Sequence, residues 1–139
     1  MIICDIDDTL LRNGTQPIRH VIDYLDSLPG EKVIVTGRPD SQRSNTVKAL
    51  RAAGVKYSRL LMNPYGTRDS NKWKAEAAKH LRTATLAIDN DSGARAAYAN
   101  EGIPTKDPAT ISKSWQSFEL YKRWGFNVDE SGNIDIEFI

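Results

Sequence analysis

A single cysteine, Cys4, occurs in the 139 residues of this chain. It excludes an internal disulfide and any cysteine-based zinc cluster, and it fits a reducing compartment. Neither sign of charge prevails: Lys+Arg number 19 and Asp+Glu 18, for a net charge of +1. No global field therefore draws the chain to nucleic acid or to an anionic membrane, and any such binding has to be local. No apolar run approaches the length of a membrane span or a signal-peptide core, and acids begin at Asp5. The expectation is a soluble, cytoplasmic protein. There is no Gly-rich loop running into Gly-Lys-Ser/Thr, which excludes a P-loop kinase. Repeats, low-complexity tracts and linkers are missing too, so residues 1–139 are expected to form one domain, long enough to bury a core without staples.

What the chain does have is concentrated where apolar runs stop. Met1-Ile2-Ile3-Cys4 has the length of a buried strand and ends in Asp5-Ile6-Asp7-Asp8-Thr9, so a strand delivers acids to the point where it leaves a sheet. Asp5 and Asp7 are two apart; in an extended backbone they face one side and can meet one ligand. Two like charges that close need a cation or a shared proton. Cys4, beside them on the strand, reads as a small core side chain.

Arg12-Asn13-Gly14-Thr15 contains an Asn-Gly turn signal and predicts a small flap beside the acids. Pro17 is expected at the first position of a helix carrying Ile18, Val21, Ile22, Leu25 and Leu28, ended by Pro29-Gly30. Lys32-Val33-Ile34-Val35-Thr36 is a second buried strand, closing in Gly37-Arg38-Pro39-Asp40. The pattern then predicts a helix over 41–53 with Val47 and Leu50 inward and Gly54 as its stop, a strand over 59–62 closed by Asn63-Pro64, and a helix over 70–81 with Trp73, Ala77 and Leu81 in register. A fourth strand over 84–88 ends in Asp89-Asn90-Asp91. The next helix carries Ala94, Ala97 and Tyr98 and stops at Gly102, before a short strand at Ile103-Pro104.

Strands alternating with helices give a doubly wound, Rossmann-like α/β fold, a parallel sheet with helices on both faces. In such sheets ligands bind beyond the carboxyl ends of the strands. Three polar clusters fall at those ends, Asp5/Asp7, Thr36-Gly37-Arg38 and Asp89/Asp91, and that coincidence argues for one site. The tail over 114–139 differs in kind. Trp115, Phe118, Tyr121 and Trp124 fall three apart, an aromatic stripe that either packs on the sheet or stacks on the bases of a single strand. Ile134, Ile136 and Phe138 alternate with acids after Ser131-Gly132-Asn133 and predict a closing β-hairpin.

Hard oxygen ligands with no His or Cys nearby select magnesium, which takes a few carboxylates, several waters and a phosphate oxygen. With such a cation present, one carboxylate can attack phosphorus in line and a second can carry a proton to the leaving oxygen. A hydroxyl and an ammonium then hold the other phosphoryl oxygens.

At this point the motifs carry a resemblance. Asp5-Ile6-Asp7-Asp8-Thr9, then Val33-Ile34-Val35-Thr36-Gly37-Arg38, then a lysine opening a helix, then Ile88-Asp89-Asn90-Asp91 resemble, in order, the four motifs of the haloacid dehalogenase superfamily of phosphohydrolases, over residues 1 to about 105. The resemblance implies a phosphatase with Asp5 as nucleophile, passing through an aspartyl phosphate, and Asp7 as general acid and base. Thr36 would bind the transferring phosphoryl group, and the lysine would steady nucleophile and phosphate. Magnesium would be held by the Asp5 carboxylate, the Asp7 backbone carbonyl and Asp89. Asn90 stands where a second acid is frequent, which leaves open whether Asp89 serves alone or with Asp91. The lysine is Lys74, slightly inside the helix, or Lys72. Thr9, Gly37 and Arg38 are candidate substrate-binding residues, Arg38 alternatively a loop anchor.

Substrate range in this superfamily usually follows an inserted cap. About 25 residues separate Leu10 from Thr36, and Arg38 to Lys72 holds one helix and one strand, so no cap is expected. Together with Val35-Thr36-Gly37-Arg38 and Thr67-Arg68-Asp69, that openness is most similar to the phosphatase domain of phage-type polynucleotide kinase-phosphatases. The implied substrate is a nucleic-acid 3′-phosphate, with a small nucleotide as the alternative. Two readings compete. A receiver domain needs a phospho-accepting Asp ending its third strand, where this chain has Met62-Asn63-Pro64. An inactive binding module would be expected to have lost Asp5 or Asp7, and both are present.

Overall fold

A computed structural model describes residues 1–125, 127–128 and 134–135. Strand β1 (Ile2–Cys4) leads into a two-stranded ribbon, β2 (Leu11–Arg12) and β3 (Gln16–Pro17), followed by helix α1 (Arg19–Ser27). Then come β4 (Lys32–Pro39), α2 (Arg43–Ala52), β5 (Arg59–Asn63), α3 (Ser70–Lys79), β6 (Leu86–Ile88), α4 (Ser92–Asn100) and β7 (Thr105–Lys106). The chain continues into α5 (Trp115–Arg123) and the antiparallel pair β8 (Asn127–Val128) and β9 (Ile134–Asp135). Five strands form a parallel sheet in the order β5-β4-β1-β6-β7. This is the doubly wound, Rossmann-like α/β architecture that the alternating pattern predicts.

Strand alternation sorts the core into two layers. Ile2, Cys4 and Ile34 face Val21, Ile22 and Leu25 of α1 and Leu50 of α2. Ile3, Val33 and Val35 face Ala77 and Ala78 of α3 and Ala94 and Tyr98 of α4. The small alanines let α3 and α4 approach the sheet closely, which brings their N-termini to its carboxyl edge. Cys4 is fully buried, and burial raises its thiol pKa well above the ordinary value.

Register aligns the polar strand ends. Cys4 pairs with Ile34 on one side and Ile88 on the other, so one residue further on Asp5 stands beside Val35 and Asp89, with Thr36 next along β4. Between Val35 and Pro39 the β4–β5 register shifts, and the bulge turns Gly37 and Arg38 away from regular pairing. Asn63, fully buried at the end of β5, donates to the carbonyls of Gly37 (3.4 Å) and Arg68 (2.8 Å) and accepts from the Tyr65 N–H (2.9 Å).

Several expectations shift. Pro17 does not open a helix. It is extended opposite Leu11 in the ribbon, and α1 begins two residues later. Asn13 (φ 52°) and Gly14 (φ 84°) are both left-handed and close the ribbon, which holds Pro17 in the strand. The second strand runs on to Pro39 instead of stopping at Thr36. The last sheet strand is Thr105–Lys106, because Ile103 is used as a buried plug, its N–H bonded to Tyr98 O at the end of α4.

In the tail, Trp115 packs against the core, edge-on to Tyr24 at 5.6 Å and donating to His20 O (2.8 Å), whereas Trp124 is 65% exposed. The side chains of Phe118 and Tyr121, and the predicted hairpin residues Ser131-Gly132-Asn133, Ile136 and Phe138, lie outside the described residues. No helix among the described residues is long and apolar enough to cross a membrane.

Asn63→Ala strands three backbone groups. The expected result is a loss of about 1–3 kcal/mol in unfolding free energy, read as a lower urea midpoint at unchanged slope; an unaltered midpoint would show that water replaces the amide.

Candidate active site

The centre of the carboxyl edge is a buried ionic triad. Asp5, at the exit of β1, is 5% exposed, Asp89, at the exit of β6, is 0% exposed, and Lys74 of α3 is 4% exposed. Lys74 Nζ donates to Asp5 Oδ1 (3.1 Å) and to Asp89 Oδ2 (2.6 Å). Helix geometry separates the two candidate lysines: two residues along a helix is a rotation of about 200°. Lys72 is thereby turned outward, with its ammonium 5.0 Å from the Tyr65 ring centroid. Trp73, between them, donates its indole N–H to Thr36 O (3.0 Å) and fixes α3 against β4. Gly37 permits this close approach, since a Cβ there would collide with Ser70 Oγ.

Two acids sharing one ammonium leave the triad short of positive charge. Burial pushes the Asp5 pKa up to about 7, opposed by Lys74 and reinforced by Asp89. Lys74 is held above its ordinary pKa by the two carboxylates, which outweigh the opposing effect of burial.

Asp7 does not join the triad. Both carboxylates line one cavity, but past Cys4 the chain leaves the strand and Asp8 takes a left-handed conformation (φ 59°), so the pair is not held on one extended face. Arg38 grips Asp7 with two parallel hydrogen bonds, Nε to Oδ2 (3.0 Å) and Nη2 to Oδ1 (2.8 Å). The same guanidinium donates to Gly14 O (3.0 Å) and Thr46 Oγ1 (3.3 Å). Hydrogen bonding to Asp7 raises the Arg38 pKa. Arg38 is therefore an anchor for the ribbon, held beside Asp7.

Thr9 donates to Asp5 Oδ2 (3.4 Å), and buried Thr36 accepts at Oγ1 from the Arg38 N–H (3.0 Å), leaving its own hydroxyl hydrogen to give. Asp89 also accepts the Asp91 N–H at Oδ1 (2.9 Å), so both of its oxygens are engaged. Asp91 caps α4, accepting from the Ala94 N–H (2.9 Å). Among the described residues no three His, Cys, Asp or Glu side chains gather around a metal position.

Asn90, marked in the sequence only by the absence of an acid, faces Asp5 and the Asp7 carbonyl. One terminal atom of its amide lies 2.9 Å from Asp5 Oδ2 and 3.2 Å from Asp7 O. Both are acceptors; the amide nitrogen satisfies them by donating, and with a cation among the three the amide oxygen takes its place. Adjacent oxygens around octahedral magnesium lie about 2.9–3.0 Å apart, so this oxygen set fits that ion, whereas the Asp89 carboxylate is turned to Lys74. A neutral Asn after a strand-end Asp is the only signal the sequence offers for it.

No family model matches the chain, and no curated protein does. Among solved structures it is similar to a chain of the Pnkp1/Rnl/Hen1 RNA repair complex, with a TM-score of 0.59 and 21% identity. The match covers 76% of this chain and 41% of that one. At that identity the likeness is one of fold.

The raised pKa of Asp5 sets a stability slope. A carboxyl whose folded pKa lies above its unfolded value of 3.8 binds its proton more tightly when folded, so stability falls as pH rises from 3.8 to about 7. Asp5→Asn removes one acid from the overcharged triad. In chelator at pH 8 it is expected to unfold with on the order of 1–3 kcal/mol more stability than wild type and a flatter pH profile. A variant less stable than wild type at pH 8 would mean that the Asp5–Lys74 pair is net stabilising.

Proposed function

We propose that the chain is a magnesium-dependent phosphomonoester hydrolase of the haloacid dehalogenase type, acting through an aspartyl phosphate at Asp5, on nucleic-acid 3′-phosphate ends. The observation that carries this reading is the placement of Asp5: a carboxylate ending the central strand, opposite a buried ammonium, open to a cavity it shares with Asp7 and Gly37. A structural ion pair has no need of the second acid, the hydroxyl at Thr36 or the Asn90 amide between Asp5 and the Asp7 carbonyl.

Asp5 attacks phosphorus through a carboxylate oxygen, and the bond to the leaving ester oxygen breaks. Lys74, fixed by Asp89, holds Asp5 in position and offsets charge on the phosphoryl oxygens. The Thr36 hydroxyl donates to one of those oxygens. Asp5, the Asp7 carbonyl and Asn90 are the residues that would hold magnesium, which would supply positive charge to nucleophile and phosphoryl group and favour ionised Asp5. Asp7 protonates the leaving oxygen, then takes a proton from the water that splits the acyl phosphate, releasing inorganic phosphate and restoring Asp5. Both Asp7 oxygens are occupied by Arg38, so Asp7 must turn out of that fork to act. An arriving phosphate competes for the same guanidinium and assists the release.

Among the described residues nothing is inserted over the site. Between β1 and α1 the chain forms only the small ribbon, and between β4 and α3 only α2 and β5. That openness suits the end of a macromolecule, and the fold it shares with a chain of an RNA repair complex supports a polynucleotide end as substrate.

Hydrolysis of an activated aryl phosphate should require magnesium and fall by at least about 10³-fold in Asp5→Asn; turnover persisting in chelator or in this variant would refute the chemistry. Asp7→Asn should slow poor leaving groups far more than activated ones, and equal losses would remove its acid role. Asn90→Asp adds a charged oxygen, so calorimetry should show magnesium binding about tenfold tighter; unchanged affinity would exclude Asn90 as a ligand.

A further inference from the structure

Beyond Asp8 and Asn90 the reaction cavity continues into a second groove of about 600 Å³, lined by Arg12 of the ribbon, His20 of α1 and Lys113 ahead of α5. The two spaces share Asp8 and Asn90 as common walls. Two segments distant in sequence, the ribbon and the stretch ahead of α5, thus bring cations to one side of the active site. Arg12 and Lys113 are exposed, and among the described residues neither has a carboxylate partner, although Arg19, Arg38, Arg43, Arg59 and Arg82 all do. Their proximity registers on His20, whose pKa is lowered by burial and by the charges of Lys113 and Arg12. Unpaired like charges gathered beside a cleft repel one another unless an anion joins them.

The groove also has acids. Asp107 is engaged, accepting from the Ala109 N–H (2.9 Å) and facing Arg95 at 3.6 Å, while Asp8 lies at the boundary with the reaction cavity. The reaction cavity itself is lined by Asp69 and Asp91, with Lys72 set over Tyr65. An anionic chain leaving Asp5 through the groove therefore meets two cations that have no carboxylate partner among the described residues.

We propose that this groove receives the single strand 5′ to the terminal nucleotide, with Arg12 and Lys113 holding its first internal phosphodiester. This rests on the reading of the site as a 3′-end phosphatase and adds to it a direction for the strand and a length preference. A mononucleotide with only a 3′-phosphate reaches Asp5 but leaves the groove empty. A dinucleotide or longer strand fills both.

The test is binding to the Asp5→Asn protein, which needs no turnover. Fluorescence anisotropy would compare a 3′-phosphorylated oligonucleotide, a 3′-phosphorylated mononucleotide and a phosphopeptide of matched charge, in the Arg12→Ala/Lys113→Ala background and without it. Each phosphate contact with a single strand contributes about 0.7 to the slope of log affinity against log salt. Losing the one phosphate contact that the two cations share should therefore cut the salt-driven fall in oligonucleotide affinity between about 50 and about 200 mM by roughly 2.6-fold, leaving mononucleotide binding unchanged. Lys113→Glu should lower oligonucleotide affinity further, and circular dichroism verifies that each variant is folded. An unaltered salt slope in the double variant, equal affinity for oligonucleotide and mononucleotide, or equal affinity for the phosphopeptide would overturn the proposal. If wild type hydrolyses aryl phosphate but no 3′-phosphate, the substrate reading fails by itself, and the anisotropy still decides whether the groove holds a strand.

Discussion

The Lys74 ammonium, held between Asp5 and Asp89, is the constraint on which the rest depends. Two carboxylates at the exits of adjacent strands would repel each other out of a buried site, and a lysine with no acid beside it would not remain buried. The triad therefore demands that β1 and β6 be neighbours in the sheet, that α3 lie close over their carboxyl ends, and that the lysine face inward from its second turn. Ala77 and Ala78 supply the close approach, Gly37 admits Ser70, and the Trp73 indole ties α3 to β4. The core is arranged so that one buried cation reaches two acids.

One cation for two acids is an arrangement that fits function better than stability. Burial, reinforced by Asp89, raises the Asp5 pKa, and the second oxygen of Asp5 faces Asn90. The two acids of the first motif are thus separated by their counterions: Asp5 inward on an ammonium that is fixed, Asp7 outward on a guanidinium that a phosphate can draw off. Such a division suits one acid that bonds to phosphorus and another that moves a proton.

Much of the fold was legible because the signals are local and redundant. Apolar runs of strand length, each ended by polar residues, placed β1, β4 and β6 and put their ends on one edge, and a position slightly inside the predicted helix favoured Lys74 over Lys72. The departures come from tertiary demands that no local pattern carries. Pro17 is held extended by a ribbon whose partner strand precedes it, and Ile103 is drawn into the core instead of the sheet. The Asp7–Arg38 fork depends on the chain curling back after the strand, so the i, i+2 rule did not reach it. Asn90 signals its place only by being neutral where an acid was expected, and Arg12, His20 and Lys113 are too far apart in sequence to be read as one surface.

Whether Asp5 itself bonds to phosphorus is decided most directly by quenching turnover in acid and mapping the peptides by mass spectrometry. The account predicts one phosphoryl group on the peptide carrying Asp5 during hydrolysis of an aryl phosphate with magnesium, and none in Asp5→Asn. Steady turnover with that peptide unmodified, or a phosphoryl group on any other residue, would contradict it.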